Sequence, residues 1–514
     1  MRTGKNFIAA KTFQRPLFSA SRENIGRKPS QRNRPLRSTL LATAAFGWLA
    51  PMLVATPAAA QDIIYDGGIA YLPGVSAGGA GTPTVQKEGL AESSSGIIGA
   101  SSSGVVAATV TTSGDVNPSP ATSPNWDVGV LNVGQSNTGT LTVAGGGTVT
   151  SSYGQIGVYT GAVGTVAVTG AGSSWNNNSS IYVGMFGSGT LNVANGGSVN
   201  SDTNGTLGEY AGSSGIATVS GPDSRWTNDN FLFVGASGNG TLGVENRGLV
   251  SAAEAIVGED VGSVGLVTVN GGGSFNLGGN LVVGYGGTGR LEITGGGAVT
   301  TGNQGLIAYF GSSKGTVTVA GPGSVWNLGN SLQVGREGTG ELIISGGGIV
   351  STASAPLIQD FRTIGAQRGS NGKVTVTGAG SAWHGNGNLG VGGEGTGALT
   401  IAAGGLVTSA TAIVGSGVDG VGSATVTGEN ASWTNSDQLF VGFFGKGTLS
   451  IGDGGAATST TAFIGYGADS TGVVSVTGAN STLANSADLL VGYSGTGTLS
   501  IADGGAATNA AAAV

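Results

Sequence analysis

Apolar and polar residues alternate with a period of two along most of the chain after residue 125. Leu141-Thr142-Val143 and Ile181-Tyr182-Val183 are two examples. Successive side chains of a strand point to opposite faces, so this alternation predicts strands with one buried face. The apolar runs are short and are separated by glycine, which predicts short strands joined by tight turns.

One unit of about 50 residues recurs eight times and accounts for residues 126–514. A G-x-L signature recurs with steps of 50, 51, 49, 51, 57, 50 and 50 residues, at Leu141, Leu191, Leu242, Leu291, Leu342, Leu399, Leu449 and Leu499. A bulky position keeps the same spacing, at Trp126, Trp175, Trp226, Phe275, Trp326, Trp383, Trp433 and finally Leu483. We expect these rings to pack in the core rather than to form an exposed row for sugar stacking.

A glycine motif, V-G-x-x-G-x-G, separates the strands of each unit. Gly184, Gly187 and Gly189 form one copy, and in the first copy Asn137 replaces the middle glycine. Asn is the non-glycine residue most tolerant of the left-handed region, so the sequence predicts a positive φ at the middle position.

Each unit divides into two halves, because the sequence around Leu141 realigns with that around Val166 after 25 residues. A 25-residue half fits one coil of a β-helix with two or three short strands, so eight units predict about 16 stacked coils. The alternative is a β-propeller, whose blades are also 40–50 residues long. The half-period and the low aromatic content of 6% favour the solenoid.

The N-terminal 60 residues are typical of a secretory signal peptide with an extended basic n-region. The first 38 residues contain ten of the 20 Lys and Arg, an apolar run follows over 39–54, and Ala58-Ala59-Ala60 ends the segment. A membrane anchor would need an apolar run of about 20 residues. Residues 61–125 are a low-complexity leader or an N-terminal cap, and the sequence leaves both interpretations open.

Charge and composition exclude several classes of function. After residue 60 the chain has 10 basic and 26 acidic residues, a formal charge of −16, which argues against a nucleic-acid partner. The absence of Cys argues against a small disulfide-stapled domain and suits export in an unfolded state.

No catalytic, cofactor or metal site is predicted, so we expect the protein not to be an enzyme. Two G-x-S-x-G matches, at residues 74–78 and 311–315, do not lie between a strand and a helix as a nucleophile elbow requires. His384 is the only histidine, and there are no thiols, so neither a His pair nor a Cys cluster exists to bind a metal.

The repeats carry a family resemblance. Units such as residues 441–490 resemble the repeat of type V secretion passengers, the autotransporters, and of some PEP-CTERM-associated proteins. The resemblance covers about three quarters of the chain and implies a right-handed parallel β-helix at the cell surface. The chain lacks the Pro-Glu-Pro motif, apolar helix and Arg cluster with which a PEP-CTERM protein ends, which favours the autotransporter passenger.

One unit departs from the regular spacing. The 57-residue step reflects seven extra residues, 356–362, in a segment that is unusually apolar and charged for this chain. Loops on a regular scaffold often carry binding groups, so the candidate ligand-binding residues are Gln359, Asp360, Phe361, Arg362 and Arg368. A tolerated surface insertion is the alternative.

The expected function is adhesion or self-association of an exported surface protein, through repeated polar positions on the outside of the strands. Expected partners are host or bacterial glycans or proteins, or another copy. A structural stalk and, more remotely, a polysaccharide-acting β-helix enzyme are the alternatives.

Passengers of this kind need an outer-membrane β-barrel translocator, which the chain does not contain. The last repeat stops half built at Val514, so the sequence also predicts a truncated gene product, a fragment, or a passenger whose barrel is encoded further downstream. A stop codon at this point with a separate partner porin is the alternative.

Overall fold

The described residues form a parallel β-solenoid with three strands in each coil. A computed structural model describes residues 64–72, 75–77, 84–99, 106–111, 125–353 and 362–514, and these residues contain no helix. One coil consists of a long strand, Val163–Thr169, a second strand, Ser174–Asn177, and a third strand, Ile181–Val183. Each strand pairs in parallel with its equivalents in the coils before and after.

Among the described residues the long strand recurs fifteen times, at Thr138–Ala144, Val163–Thr169, Ser188–Ala194, Ser214–Ser220, Asn239–Glu245, Val264–Val269, Thr288–Thr294, Lys314–Ala320, Thr339–Ser345, Asn371–Thr377, Thr396–Ala402, Val421–Thr427, Lys446–Gly452, Thr471–Thr477 and Thr496–Ala502. The second strands are Ser174–Asn177, Ser198–Ser201, Arg225–Asn228, Leu249–Ala252, Ser274–Leu277, Ala298–Thr301, Val325–Leu328, Ile349–Thr352, Ala382–Gly385, Leu406–Ser409, Ser432–Asn435, Ala456–Ser459, Thr482–Asn485 and Ala506–Thr508. The third strands are Ile181–Val183, Gly205–Leu207, Phe231–Val234, Glu254–Val257, Leu281–Val283, Gly305–Ile307, Leu332–Val334, Arg362–Ile364, Leu389–Val391, Ala412–Val414, Gln438–Val441, Thr461–Ile464, Asp488–Val491 and Ala511–Ala513. In Asn125–Val133 and Thr148–Ile156 the second and third strands are continuous.

This architecture confirms the predicted β-helix. A propeller would require antiparallel blades, whereas the pairs described above are all parallel. The long strand at Gly139 pairs residue for residue with the one at Gly164, which confirms the 25-residue coil. The fifteen long strands of the described residues compare with about 16 predicted coils.

The core lies inside the coils and is built from one face of each strand. Long strands show the expected alternation, with the second, fourth and sixth residues buried. Leu141, Val166 and Leu191 are fully buried and lie in register on successive coils. Because each fully buried aliphatic side chain contributes roughly 1.5–3 kcal/mol, stacking of coils supplies the core that no single coil has.

The 50-residue unit arises because adjacent coils pack different side chains at one core position. Trp175, Val199 and Trp226 lie in register on successive second strands, so a large ring alternates with a small side chain. Several tryptophan rings cover a glycine in the third strand of the preceding coil: a Cβ on Gly205 would lie 2.7 Å from Cζ2 of Trp226. Two complementary coils therefore make one sequence repeat.

The V-G turn corrects one prediction about glycine. φ is positive at the first glycine, Gly184, at 72°, and not at the middle glycine, Gly187, nor at Asn137. At Gly187 the constraint is space, because a Cβ there would collide with the carbonyl oxygens of Tyr159 and Ala162 in the preceding coil. The prediction mistook close backbone approach for a dihedral requirement.

The region left open as leader or cap contains further parallel strands. Ile64–Leu72 and Val75–Ala77 pair with Thr84–Ile98, and Val106–Thr111 pairs with the long strand at Gly139. Residues 84–98 also pair with Asn125–Val133, so this region joins the same ladder as the repeats. In the part of the chain that the structure describes, no helix has the length and hydropathy to cross a membrane.

Candidate functional site

The inserted segment lies largely outside the described residues. Gln359, Asp360 and Phe361 belong to 354–361, which the structure does not describe, so their assignment as ligand-binding residues stays a prediction. Arg362 and Arg368, the other two candidates, are both described.

Arg362 points into the core rather than toward solvent. It is the first residue of the third strand Arg362–Ile364 and is 2% exposed. Equivalent positions that pair with a Leu in the next coil hold small residues, such as Gly305 and Ala412. The guanidinium carbon of Arg362 lies 5.1 Å from the ring centroid of Trp383. Arg362 therefore replaces the small residue that a tryptophan ring normally covers.

Backbone carbonyls, and no carboxylate among the described residues, receive the Arg362 guanidinium. Nη2 donates to the carbonyl oxygens of Thr408 at 2.8 Å, Gly387 at 3.2 Å and Gly385 at 3.4 Å. Nε and Nη1 have no hydrogen-bond partner within the described residues. Burial lowers the pKa of Arg362 to about 9, because it disfavours the charged form.

The same guanidinium coincides with a gap in the parallel ladder. Between Ala382–Gly385 and Leu406–Ser409 only Ala382↔Leu406 and Trp383↔Val407 are in register, whereas the next pair of second strands matches four residues. The side chain of Thr408 hydrogen-bonds with the backbone of Gly385 instead, at 3.1 and 3.4 Å.

Arg368 lies in an exposed turn that follows the third strand Arg362–Ile364. Its side chain is 76% exposed and forms an ion pair with Asp419 two coils away. An exposed pair of this kind contributes at most about 1 kcal/mol and is screened by salt. The structure therefore places Arg362 in the interior and Arg368 on the surface, and does not join them in one pocket.

The repeated tryptophans are core residues, as predicted. Trp175, Trp226, Trp326, Trp383 and Trp433 are all 0% exposed, which excludes an exposed row for sugar stacking. Their indole groups find partners in the preceding coil in some cases. Trp175 donates to Ser151 Oγ at 2.9 Å, and Trp326 donates to Thr301 Oγ1 at 3.0 Å.

A second set of aromatic residues was not found by sequence reasoning. The residue that follows V-G or I-G stacks on its equivalent in the next coil: Phe443, Tyr466 and Tyr493 form a column with centroid distances of 5.1 and 5.2 Å. Rings stacked in this way cover one another's faces, so they stabilise adjacent turns. The sequence contained a signal for this column, because the aromatic residue after V-G or I-G recurs at the spacing of one coil.

A similar column in the middle of the solenoid ends on a cation. Tyr285 stacks on Tyr309 at 5.0 Å, and the Arg336 guanidinium lies 4.1 Å from the Tyr309 centroid. Burial, together with the smaller effects of the neighbouring Tyr309 and Glu259, raises the pKa of the Tyr285 hydroxyl to about 12.

The motifs considered for chemistry have structural roles where they are described. Ser313 of the second G-x-S-x-G match is 1% exposed, and its hydroxyl donates to the carbonyl oxygen of Phe310 at 2.7 Å within a turn. His384 lies on the outward side of a second strand, opposite Ser351. Among the described residues no group of three or more His, Cys, Asp or Glu is arranged to hold a metal ion.

The outward positions of the strands form continuous columns of hydrogen-bonding side chains. On the second strands, residues in consecutive register are Thr150, Asn176, Asn200, Thr227, Ser251, Asn276, Thr300, Asn327, Ser351 and His384. On the long strands a hydroxyl column runs through Thr375, Thr400, Thr425, Ser450, Ser475 and Ser500. All of these residues are half-buried or exposed. Parallel pairing spaces neighbours by about 4.8 Å.

Comparison with known proteins assigns no family to this chain. No family model matches it, and no curated protein matches it. The crystal structure of the TibC-catalysed hyper-glycosylated TibA55-350 fragment is similar over 75% of this chain and 99% of that one, with 16% sequence identity and a TM-score of 0.40. We draw no family or function from a match at this level.

Proposed function

We propose that this chain is an exported surface protein of the autotransporter passenger kind, which adheres to other surfaces or to copies of itself. The observation that carries the proposal is the set of outward columns, in which hydroxyl and amide groups repeat on coil after coil. A single hydrogen bond contributes only about 0.5–1.5 kcal/mol. Many identical groups on one scaffold raise the overall affinity through multivalency.

The chemistry of the columns defines the class of partner. Thr, Ser and Asn side chains both donate and accept hydrogen bonds and carry no charge. They suit uncharged polar ligands, such as the hydroxyl groups of surface glycans or equivalent columns on proteins. The acidic excess after residue 60 disfavours phosphate-rich ligands.

Export is the part of the proposal that rests on the first 60 residues. A basic segment, a short apolar run and Ala58-Ala59-Ala60 together suit a cleaved signal. N-terminal sequencing of the protein recovered from the cell surface or the medium tests this directly. A mature N-terminus near Gln61 is expected, and a surface protein that retains residue 1 would contradict it.

Adhesion is tested with cells that display the chain. We expect the cells to aggregate, or the protein to bind members of a glycan array. Two variants test the columns separately. One replaces three long-strand residues by Asp, at Thr375, Thr425 and Ser475. The other replaces three second-strand residues by Asp, at Asn200, Asn276 and Asn327. We expect at least one of the two variants to bind more weakly than the unmodified chain. Cells that neither aggregate nor bind any glycan would overturn the adhesive proposal and favour a stalk.

A further inference from the structure

The outward face of the second strands differs from the other two strand faces in charge. From Thr148–Ile156 to Ala506–Thr508 these strands contain no Asp or Glu, although the chain has 26 such residues after residue 60. The long strands contain Glu245, Glu292 and Glu341, and the third strands contain Glu254 and Asp488.

Two columns in the middle of this acid-free face combine apolar and polar groups. We define the second-strand face by the outward residues of the second strands from Thr148–Ile156 to Ala506–Thr508, and the two columns run through seven consecutive strands in its middle. One column contains Leu249, Ser274, Ala298, Val325, Ile349, Ala382 and Leu406, and the other contains Ser251, Asn276, Thr300, Asn327, Ser351, His384 and Thr408. Strand pairing in register joins the first column without interruption.

We infer that the second-strand face is the surface through which two copies of this chain pair side by side. The inference rests on the proposed function and specifies its partner. Two chains that each carry a formal charge of −16 after residue 60 repel one another wherever acidic residues meet. The second-strand face brings two copies together without placing carboxylates opposite carboxylates.

The spacing of the columns also points to a second copy. Side chains repeat at the ladder spacing of about 4.8 Å, and another copy has the same repeat. Asn and Thr side chains offer both donors and acceptors, so a column of them can hydrogen-bond to an identical column.

The dimensions of the face fit a specific interface. Fifteen coils at about 4.8 Å and four-residue strands at about 3.3 Å per residue give roughly 900 Å² on each copy. A standard interface buries about 800 Å² per partner. Val325 lies in the eighth of the fifteen coils and Ile349 in the ninth, so two apolar side chains lie at the centre of the face. Central apolar positions dominate the energetics of such interfaces, and a two-fold axis there would bring them against their own counterparts.

The test places two carboxylates at the centre of this face and measures self-association of the purified full chain by sedimentation equilibrium. Asn327→Asp with Ile349→Asp should weaken pairing by at least about tenfold, which corresponds to 1.4 kcal/mol. The matched control is Thr318→Asp with Ile343→Asp, because these residues lie in register on the outward side of the long strands in the same two coils. The control should change pairing by less than about threefold.

A charge-reversal pair separates loss of the interface from loss of the fold. Asn327→Lys with Ile349→Lys should also fail to pair with itself, but a mixture with the Asp variant should recover heterodimers, provided that circular dichroism shows both to be folded. Recovery on mixing supports the inference. Two results would show that the second-strand face is not the interface, although the chain self-associates. In one, the face and control variants lose self-association equally. In the other, neither variant loses it while the unmodified chain associates. An unmodified chain that stays monomeric would overturn the inference, and glycan binding would then decide the proposed function separately.

Discussion

The hydrogen bond between Trp326 and Thr301 offers the sharpest test of how adjacent coils are joined. The indole Nε1 donates to Thr301 Oγ1 at 3.0 Å, and both residues are 0% exposed. Thr301→Ala removes the acceptor and leaves the indole N–H buried without a partner, which costs roughly 1–3 kcal/mol.

The double-mutant cycle has a natural reference in the same chain. Phe275 occupies the tryptophan position two coils earlier, and Ala252 occupies the position of Thr301 beneath it. A ring without an N–H is therefore paired with a residue without a hydroxyl. We expect Thr301→Ala to cost much less after Trp326→Phe than before it, with a coupling energy of about 1–2 kcal/mol.

The assay has to be local, because stacked repeats need not unfold in one step. Native-state amide exchange in Ala298–Thr301 and Val325–Leu328 gives the opening free energy of these two strands. The control cycle uses Trp433 and Ser409: within the described residues Trp433 Nε1 has no partner, and Ser409 donates to Asn435 at 2.6 Å. Its coupling energy should be near zero. Equal coupling in both cycles, or none at Trp326, would refute the reasoning.

Three further predictions follow from buried groups. Gly305→Ala should lower the opening free energy of the coil around Trp326 by about 1–3 kcal/mol, measured by local amide exchange, because the new Cβ would lie 2.7 Å from Cζ2 of that ring. Gly311→Ala is the control, because a Cβ there would lie 4.0 Å from the nearest atom beyond its chain neighbours, the carbonyl oxygen of Glu337. Arg362→Met should stabilise the neighbouring coils at neutral pH, because it removes a buried charge. The folded pKa of Arg362 is about 9, well below its ordinary value, so above pH 9 the unfolded state binds more protons than the folded state. The unmodified chain should therefore regain stability as pH rises through 9. A constant difference in stability between the two chains from pH 7 to about 11 would contradict this. For Tyr285 the pH dependence has the opposite sign, because its folded pKa of about 12 exceeds the usual value of 10. Its contribution to the free energy of unfolding is complete below pH 10 and is lost as pH rises through 12. Thermal melts of Tyr285→Phe at alkaline pH should lack this loss of stability.

The sequence predicted the coil because its constraints repeat. Inward positions must be apolar on every strand, so apolar residues recur along the sequence at the length of one coil. Leu141 pairs with Val166 and Trp175 pairs with Val199 in this way. The buried tryptophans were predicted on the same basis. What the period could not supply is the division of each coil into three strands, because the turn between the second and third strands has no glycine motif of its own.

Arg362 shows where reasoning by residue type misled. A charged residue at the end of an irregular segment was assigned to a surface loop, yet Ile364 two residues later is an inward residue of the third strand. Period two therefore puts Arg362 on the inward side as well. The strand assignment outweighs the polarity of the side chain, and the backbone carbonyls of Gly387 and Thr408 compensate for it.

Most of the regularity in this chain serves to build coils, and this helps to separate structure from function. Inward residues are constrained by the core, and residues such as Gly184 and Gly187 by the turns, so neither set carries information about a partner. The outward residues of the long strands and the second strands are free of both constraints, whereas those of most third strands are buried, as at Thr206 and Leu306. On the long strands that freedom admits Arg290, Glu292 and Lys373, whereas the second strands contain no acidic residue from Thr148 onward. Core packing does not require this difference, because the long strands and the second strands both expose outward side chains to solvent. A constraint from outside the coil accounts for it, which is why the second-strand face is the place to look for the partner.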